Sequence, residues 1–164
     1  MRFFKILSLS TLVAFAAATL PAIVYRGDAR SPETIRAAGG FLPRGGSFGE
    51  AKDSSMSYDQ HVKMEPGKPG YNQDPWISTS KDYHWIVGYF GRHFKGRDVW
   101  IYHIKTAGLQ NAIDINHAYV ADGIENNHEI EQEVAVKHSI PWSHVTHWDK
   151  YRISADGSEK TLIS

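Results

Sequence analysis

Apolar residues fall into brief helical stripes early in the chain and into alternating strand-like runs later. Asp98–Lys105 (DVWIYHIK) alternates and is rich in aromatic and β-branched residues, which predicts a strand. Ala22–Arg26 (AIVYR), Trp76–Ser80, Ala112–Ile115, Ile130–Val136 and His147–Ile153 read as further strands. Tyr83, Ile86, Val87 and Phe90 recur on one helical face, and Gly91 and Gly96 bracket the end of that helix. A shorter helix starts earlier, with Ser31 as N-cap, Pro32 at the first helical position and Glu33 in the first turn, and Gly39-Gly40 ends it. The stretch from Arg44 to Asp74 is rich in Gly, Pro, Ser, Asp and Lys, with one helical turn at Ser57–Val62. Ala121–His128 reads as a polar loop. Few helices, mostly early, and strands thereafter predict an α+β domain.

The N-terminus reads differently. Met1-Arg2-Phe3-Phe4-Lys5 is a short basic segment, Ile6–Ala18 carries no charge, and Ala16–Ala18 offers the small residues of a cleavage site. This predicts a signal peptide over residues 1–18 and a single domain over 19–164. No stable membrane anchor is expected, because the run is short and Ser8, Ser10 and Thr11 interrupt it.

Composition narrows the functional classes. Hydrophobic residues make up 41% and charged residues 22% of 164, so a packed core is affordable. Eighteen basic side chains balance eighteen acidic ones, which argues against nucleic acid as a partner. Cysteine is absent, which removes thiol catalysis, disulfides and thiolate metal sites. There are nine histidines, but Gln132 stands where a zinc-protease helix opened by His128-Glu129 would need its second ligand. No metal is expected.

Three pieces carry candidate chemistry: Arg26 at the end of the first strand, Ser78-Thr79-Ser80 on a middle strand, and Glu131-Gln132-Glu133 at the start of a late one. On a strand, Glu131 and Glu133 would share a face, about 6.5–7 Å apart along the chain. Paired carboxylates suit a reaction through a sugar cation, and arginine presents a planar fork to a diphosphate. Each piece alone also fits a solvated strand face, a surface ion pair or a polar strand end.

Taken together, these pieces resemble the cholera-toxin and heat-labile-enterotoxin A-subunit family of ADP-ribosyltransferases. VYRGDARSPETIRAAGGFLPRGG is similar to the family's N-terminal segment, WISTS to its Ser-Thr-Ser strand, and IEQEVAVKHSIPWSHVTHWDKYRI to its Glu-x-Glu region. The resemblance implies two packed, mostly antiparallel sheets around an NAD cleft, with NAD+ as co-substrate. It implies that Arg26 holds the diphosphate, Ser78 orients Glu133, Glu133 steadies the ribose cation, and Glu131 aligns and deprotonates an acceptor arginine. Gly27, Asp28, Arg30, Arg44 and Thr79 match positions around the nucleotide. His61 in SYDQHVK is similar to the family's histidine after Tyr-Asp, with Gln60 intervening, and the loop from Val120 to Ile130 would face the target.

The expected function is therefore that of a secreted toxin or effector. It would transfer ADP-ribose to an arginine of a target protein, a G-protein α subunit by resemblance, after delivery into host cells with the help of a separate subunit. The alternatives are an NAD+ glycohydrolase on the same fold and a catalytically silent NAD-binding effector.

Overall fold

The computed structural model describes residues 19–44 and 53–164. The expected signal peptide lies outside the described residues. Strands are β1 (Ile23–Asp28), β2 (Gly40–Phe41), β3 (Trp76–Ser80), β4 (Asp98–Lys105), β5 (Ala112–Asp114), β6 (Glu133–Lys137), β7 (Ile140–Pro141), β8 (Val145–Ile153) and β9 (Lys160–Leu162). Helices are α1 (Pro32–Ala37), α2 (Tyr58–Val62), α3 (Tyr83–His93) and α4 (Ile115–Asp122). Seven strands form one sheet in the order β5-β6-β3-β1-β4-β8-β9, and β2 and β7 form a second, two-stranded sheet. The strand pairings are antiparallel. The expected α+β architecture with mostly antiparallel sheets is therefore present, one sheet being large and the other small. No helix among the described residues is long and apolar enough to cross a membrane.

Alternation along β6 separates the layers. Val134 and Val136 enter the main core with Val24, Ile35, Phe41, Ile77, Tyr102, Ile104 and Ile140, whereas Ala135 packs with Ile115 and Tyr119 of α4. Glu133 shares the Ala135 face by the period of two. Opposite them in register stand Ser80 (with Glu133) and Ser78 (with Ala135), so both serines project to that face as well.

The third helix packs across the same side. Gly27 of β1 lets it approach: a Cβ there would lie 2.2 Å from Phe90, whose ring stacks on Phe94. Gly27→Ala is therefore expected to cost about 1–3 kcal/mol in urea denaturation, by displacing Phe90. Wild-type stability would show that Phe90 relocates without strain.

Two sequence expectations change. The polar loop assigned to Ala121–His128 begins inside α4, which Asp114 caps at its start and Gly123 (φ 67°) at its end. Only Ile115 and Tyr119 of that helix are buried, a stripe too narrow to register as amphipathic. The strand assigned to Ile130–Val136 begins only at Glu133. Glu129–Glu131 forms a 3-10 turn, and Gln132 takes a left-handed conformation (φ 48°). Glu131 and Glu133 are thus not neighbours on one strand face.

Candidate active site

A cleft of about 440 Å³ opens between α2 and α3, lined by side chains from both expected carboxylate positions and from β1 and β3. Glu133, Glu131, Arg26, Gly27, Arg44, Ser78 and Thr79 all border it. Asp28 and Arg30 do not. Arg30 grips Asp28 through Nε (2.9 Å) and Nη2 (2.6 Å), and the Tyr102 hydroxyl donates to the Arg30 carbonyl at 2.7 Å. Burial pushes the Asp28 carboxyl up, but its hydrogen bonds with Arg30 and the positive charges of Arg26 and Arg30 together hold it below the usual carboxylate range. This pair lies behind the cleft, with Asp28 3.8 Å from the Arg26 guanidinium.

Arg26 donates from Nη1 to the Ser78 carbonyl at 2.7 Å and lies over the Phe41 ring at 5.2 Å. Its Nε is buried and has no hydrogen-bond partner among the described residues. The Arg26 side chain as a whole is 21% exposed, which leaves part of its cationic fork open to the cleft. Arg44 stacks 4.1 Å over Tyr71 at the same cleft. Thr79 spends its hydroxyl on the Val134 carbonyl (2.6 Å), so it acts here as a strand clamp.

The third strand also anchors the glutamate turn. The Ser80 hydroxyl donates to the Glu131 carbonyl at 2.7 Å, and the Lys81 amide donates to the Gln132 carbonyl at 2.9 Å. These bonds hold the left-handed Gln132 and so set where Glu131 and Glu133 point. Glu133 is buried, while the Glu131 side chain is 36% exposed at the rim, 3.3 Å from His128 Nδ1.

His61 is the hub of the site. Its Nε2 lies 3.1 Å from Glu133 Oε1 and 3.2 Å from Ser78 Oγ, and its Nδ1 lies 2.6 Å from Asp74 Oδ2. Among the described residues Ser78 meets Glu133 only through this imidazole, because the register sets Ser78 opposite Ala135, two residue pairs beyond Glu133. Burial pushes the His61 imidazole down, but the hydrogen bonds and negative charges of Asp74 and Glu133 together outweigh burial and raise it to about 9. Asp74 had no signal in the sequence beyond its place before Pro75 and the strand.

Because folding raises this pKa above the free-imidazole value, the bound proton stabilises the fold below about pH 6.5, and that contribution fades as pH rises through about 9. Wild-type stability is expected to fall across that window by up to about 3 kcal/mol more than that of His61→Gln, measured by urea denaturation at several pH values. Parallel pH curves would contradict a protonated His61.

Aromatic side chains of α3 form the facing wall. Trp85 and Tyr89 stack at 5.2 Å, and Phe90 and Phe94 continue the surface. Flat rings beside a cationic fork and a buried carboxylate suit a ligand that joins planar heterocycles to a charged sugar phosphate. Among the described residues no group of three or more His, Cys, Asp or Glu side chains is placed to hold a metal ion.

Comparison with known proteins gives a consistent result. The sequence matches the heat-labile enterotoxin alpha chain family over residues 3–159. It is 29% identical over 141 residues to the heat-labile enterotoxin A chain of Escherichia coli, covering 80% of this chain and 49% of that one. It is 29% identical over 126 residues to the NAD(+)--arginine ADP-ribosyltransferase Chelt of Vibrio cholerae, covering 76% of this chain and 20% of that one. The chain thus spans about half the length of the first of these relatives, and less of the second. Among solved structures, an E. coli heat-labile enterotoxin mutant superposes with a TM-score of 0.61 at 25% identity, covering 85% of this chain and 75% of that chain. A guanine-specific ADP-ribosyltransferase shares the fold at 17% identity and a TM-score of 0.53, covering 87% of this chain and 73% of that one.

Proposed function

This chain belongs to the heat-labile enterotoxin alpha chain family, and from that premise we propose that it is an exported NAD+–protein-arginine ADP-ribosyltransferase. The observation that carries the reading is a buried Glu133 held against His61 in a cleft that also presents the Arg26 fork and a second, exposed carboxylate, Glu131.

The chemistry follows from those positions. Arg26, with Arg44 beyond it, binds the NAD+ diphosphate, and the α3 aromatic wall packs against the planar rings. Glu133 accepts a hydrogen bond from a hydroxyl of the nicotinamide ribose. The bond between ribose C1′ and the nicotinamide nitrogen breaks, and its electron pair stays on nicotinamide, which becomes neutral. The negative charge of Glu133 stabilises the ribosyl cation left behind. A guanidinium group is protonated up to a pKa above about 12, so it needs a base as it attacks. Glu131, on the rim, accepts that proton while the freed nitrogen lone pair forms the new bond to C1′. With water in place of the guanidine, the same site hydrolyses NAD+.

The partners that fit are a target protein with an accessible arginine, such as a G-protein α subunit, and a separate delivery subunit. Secretion followed by action inside a host cell fits the same reading. The test is an acceptor panel: purified chain with labelled NAD+ and agmatine, a guanine nucleotide, or water alone. Label on agmatine supports arginine transfer. Label only on guanine moves the acceptor to a nucleobase, and free ADP-ribose alone makes the chain a glycohydrolase.

A further inference from the structure

Asp74 is 1% exposed, and both of its oxygens are engaged. Oδ1 accepts from the Trp76 amide at 2.9 Å, which ties the carboxylate to the first residue of β3, and Oδ2 lies 2.6 Å from His61 Nδ1. The imidazole is constrained from other sides too. Its ring sits beside the Trp76 indole, with centroids 6.2 Å apart. The helix that carries it is fastened to α4 by two tyrosine–aspartate bonds of opposite sense: the Tyr58 hydroxyl donates to Asp122, and the Tyr119 hydroxyl donates to Asp59 at 2.8 Å. What remains for Nε2 is Glu133 and Ser78.

We propose that Asp74 is a positioning residue for NAD+ cleavage, holding the His61 imidazole so that Nδ1 keeps its proton and Nε2 stays directed at the Glu133 carboxylate. This inference rests on the proposed NAD+ chemistry, and it assigns work to a buried carboxylate that acts through His61. A buried carboxylate that accepts from one ring nitrogen fixes the orientation of the imidazole and so what the other nitrogen can reach. The groups facing His61 are the Asp74 and Glu133 carboxylates, the Ser78 hydroxyl and the Trp76 ring. The two carboxylates together hold the imidazole protonated well above its ordinary range, so losing one of them should be visible in its titration.

The experiment compares wild type, Asp74→Asn, His61→Gln and the double variant. It reads the pH profile of nicotinamide release, kcat and KM for NAD+, and the NMR titration of the His61 ring protons. Asp74→Asn is expected to lower the His61 titration midpoint by at least about one unit. It is expected to lower kcat by about 10-fold to 10²-fold. KM should stay within about twofold, because the substrate contacts are untouched. In the His61→Gln background the same substitution is expected to cost no further activity, because Asp74 acts only through His61. Should Asp74→Asn not fold, Asp74→Glu, which moves the carboxylate by one methylene, takes its place. A fall in kcat at unchanged NAD+ affinity supports the proposal, and wild-type kcat overturns it. Wild-type kcat and an unmoved His61 titration in folded Asp74→Asn also overturn it, as does a full additional loss in the double variant. A wild-type chain that cleaves no NAD+ defeats the proposed function itself, whereas cleavage at equal rates by wild type and Asp74→Asn defeats only this inference.

Discussion

Glu133→Gln is expected to lower kcat for nicotinamide release by about 10²- to 10³-fold while leaving NAD+ affinity nearly intact. The substitution keeps side-chain volume and keeps an oxygen where His61 Nε2 now meets Oε1 at 3.1 Å. It removes the negative charge, and that charge matters most when the ribose is cationic. A group that stabilises the transition state more than the ground state shows its loss in kcat. The turn itself should survive, because the bonds that hold it run from Ser80 and Lys81 to the backbone of Glu131 and Gln132 and not to the Glu133 side chain. Turnover by Glu133→Gln within a few-fold of wild type would remove Glu133 from the chemistry.

Glu131→Ala is expected to separate transfer from cleavage. Its carboxylate is at the rim, and among the described residues its side chain meets His128, itself 47% exposed. Removing it buries no new unpaired group, so stability should stay within about 0.5 kcal/mol of wild type. NAD+ hydrolysis should continue, because water needs no help to lose a proton after it has attacked the cation. Transfer to agmatine should fall by about 10²-fold or more, the scale of lost base catalysis, since a protonated guanidinium carries no free lone pair. Equal losses in hydrolysis and transfer would mean that Glu131 serves the cleavage step or the fold.

How far the sequence anticipates this site depends on where the information sits. Where one residue's local chemistry dictates the backbone, sequence and structure agree: Ser31 caps α1 with Pro32 in its first turn, and Asp98–Lys105 is a strand over its full predicted length. The short turn at Ser57–Val62 also forms, with Ser57 and Gln60 closing a reciprocal cap. Agreement fails where tertiary bonds decide. Nothing local in Ile-Glu-Gln-Glu-Val announces that Gln132 will turn left-handed, because the strand end at Ser80-Lys81 imposes that turn from across the sheet. Asp74 is illegible for the same reason: its partner is thirteen residues away on another element. His61 was visible only through the family resemblance, and the intervening Gln60 blurred its register. Its importance emerges once α2 is seen fastened to α4 and the imidazole is found between two carboxylates. Asp28 and Arg30 match nucleotide-side positions by resemblance, and the structure pairs them with one another beside Arg26, outside the cleft lining.

The most direct test of the central claim, that this cleft holds NAD+ across Arg26 and Glu133, is a crystal structure of the chain with a non-cleavable NAD+ analogue. The expected density places the diphosphate against the Arg26 guanidinium, a ribose hydroxyl on Glu133, and the open face of the anomeric carbon toward Glu131. An analogue bound elsewhere on the chain, or an empty cleft at saturating analogue, would contradict the account.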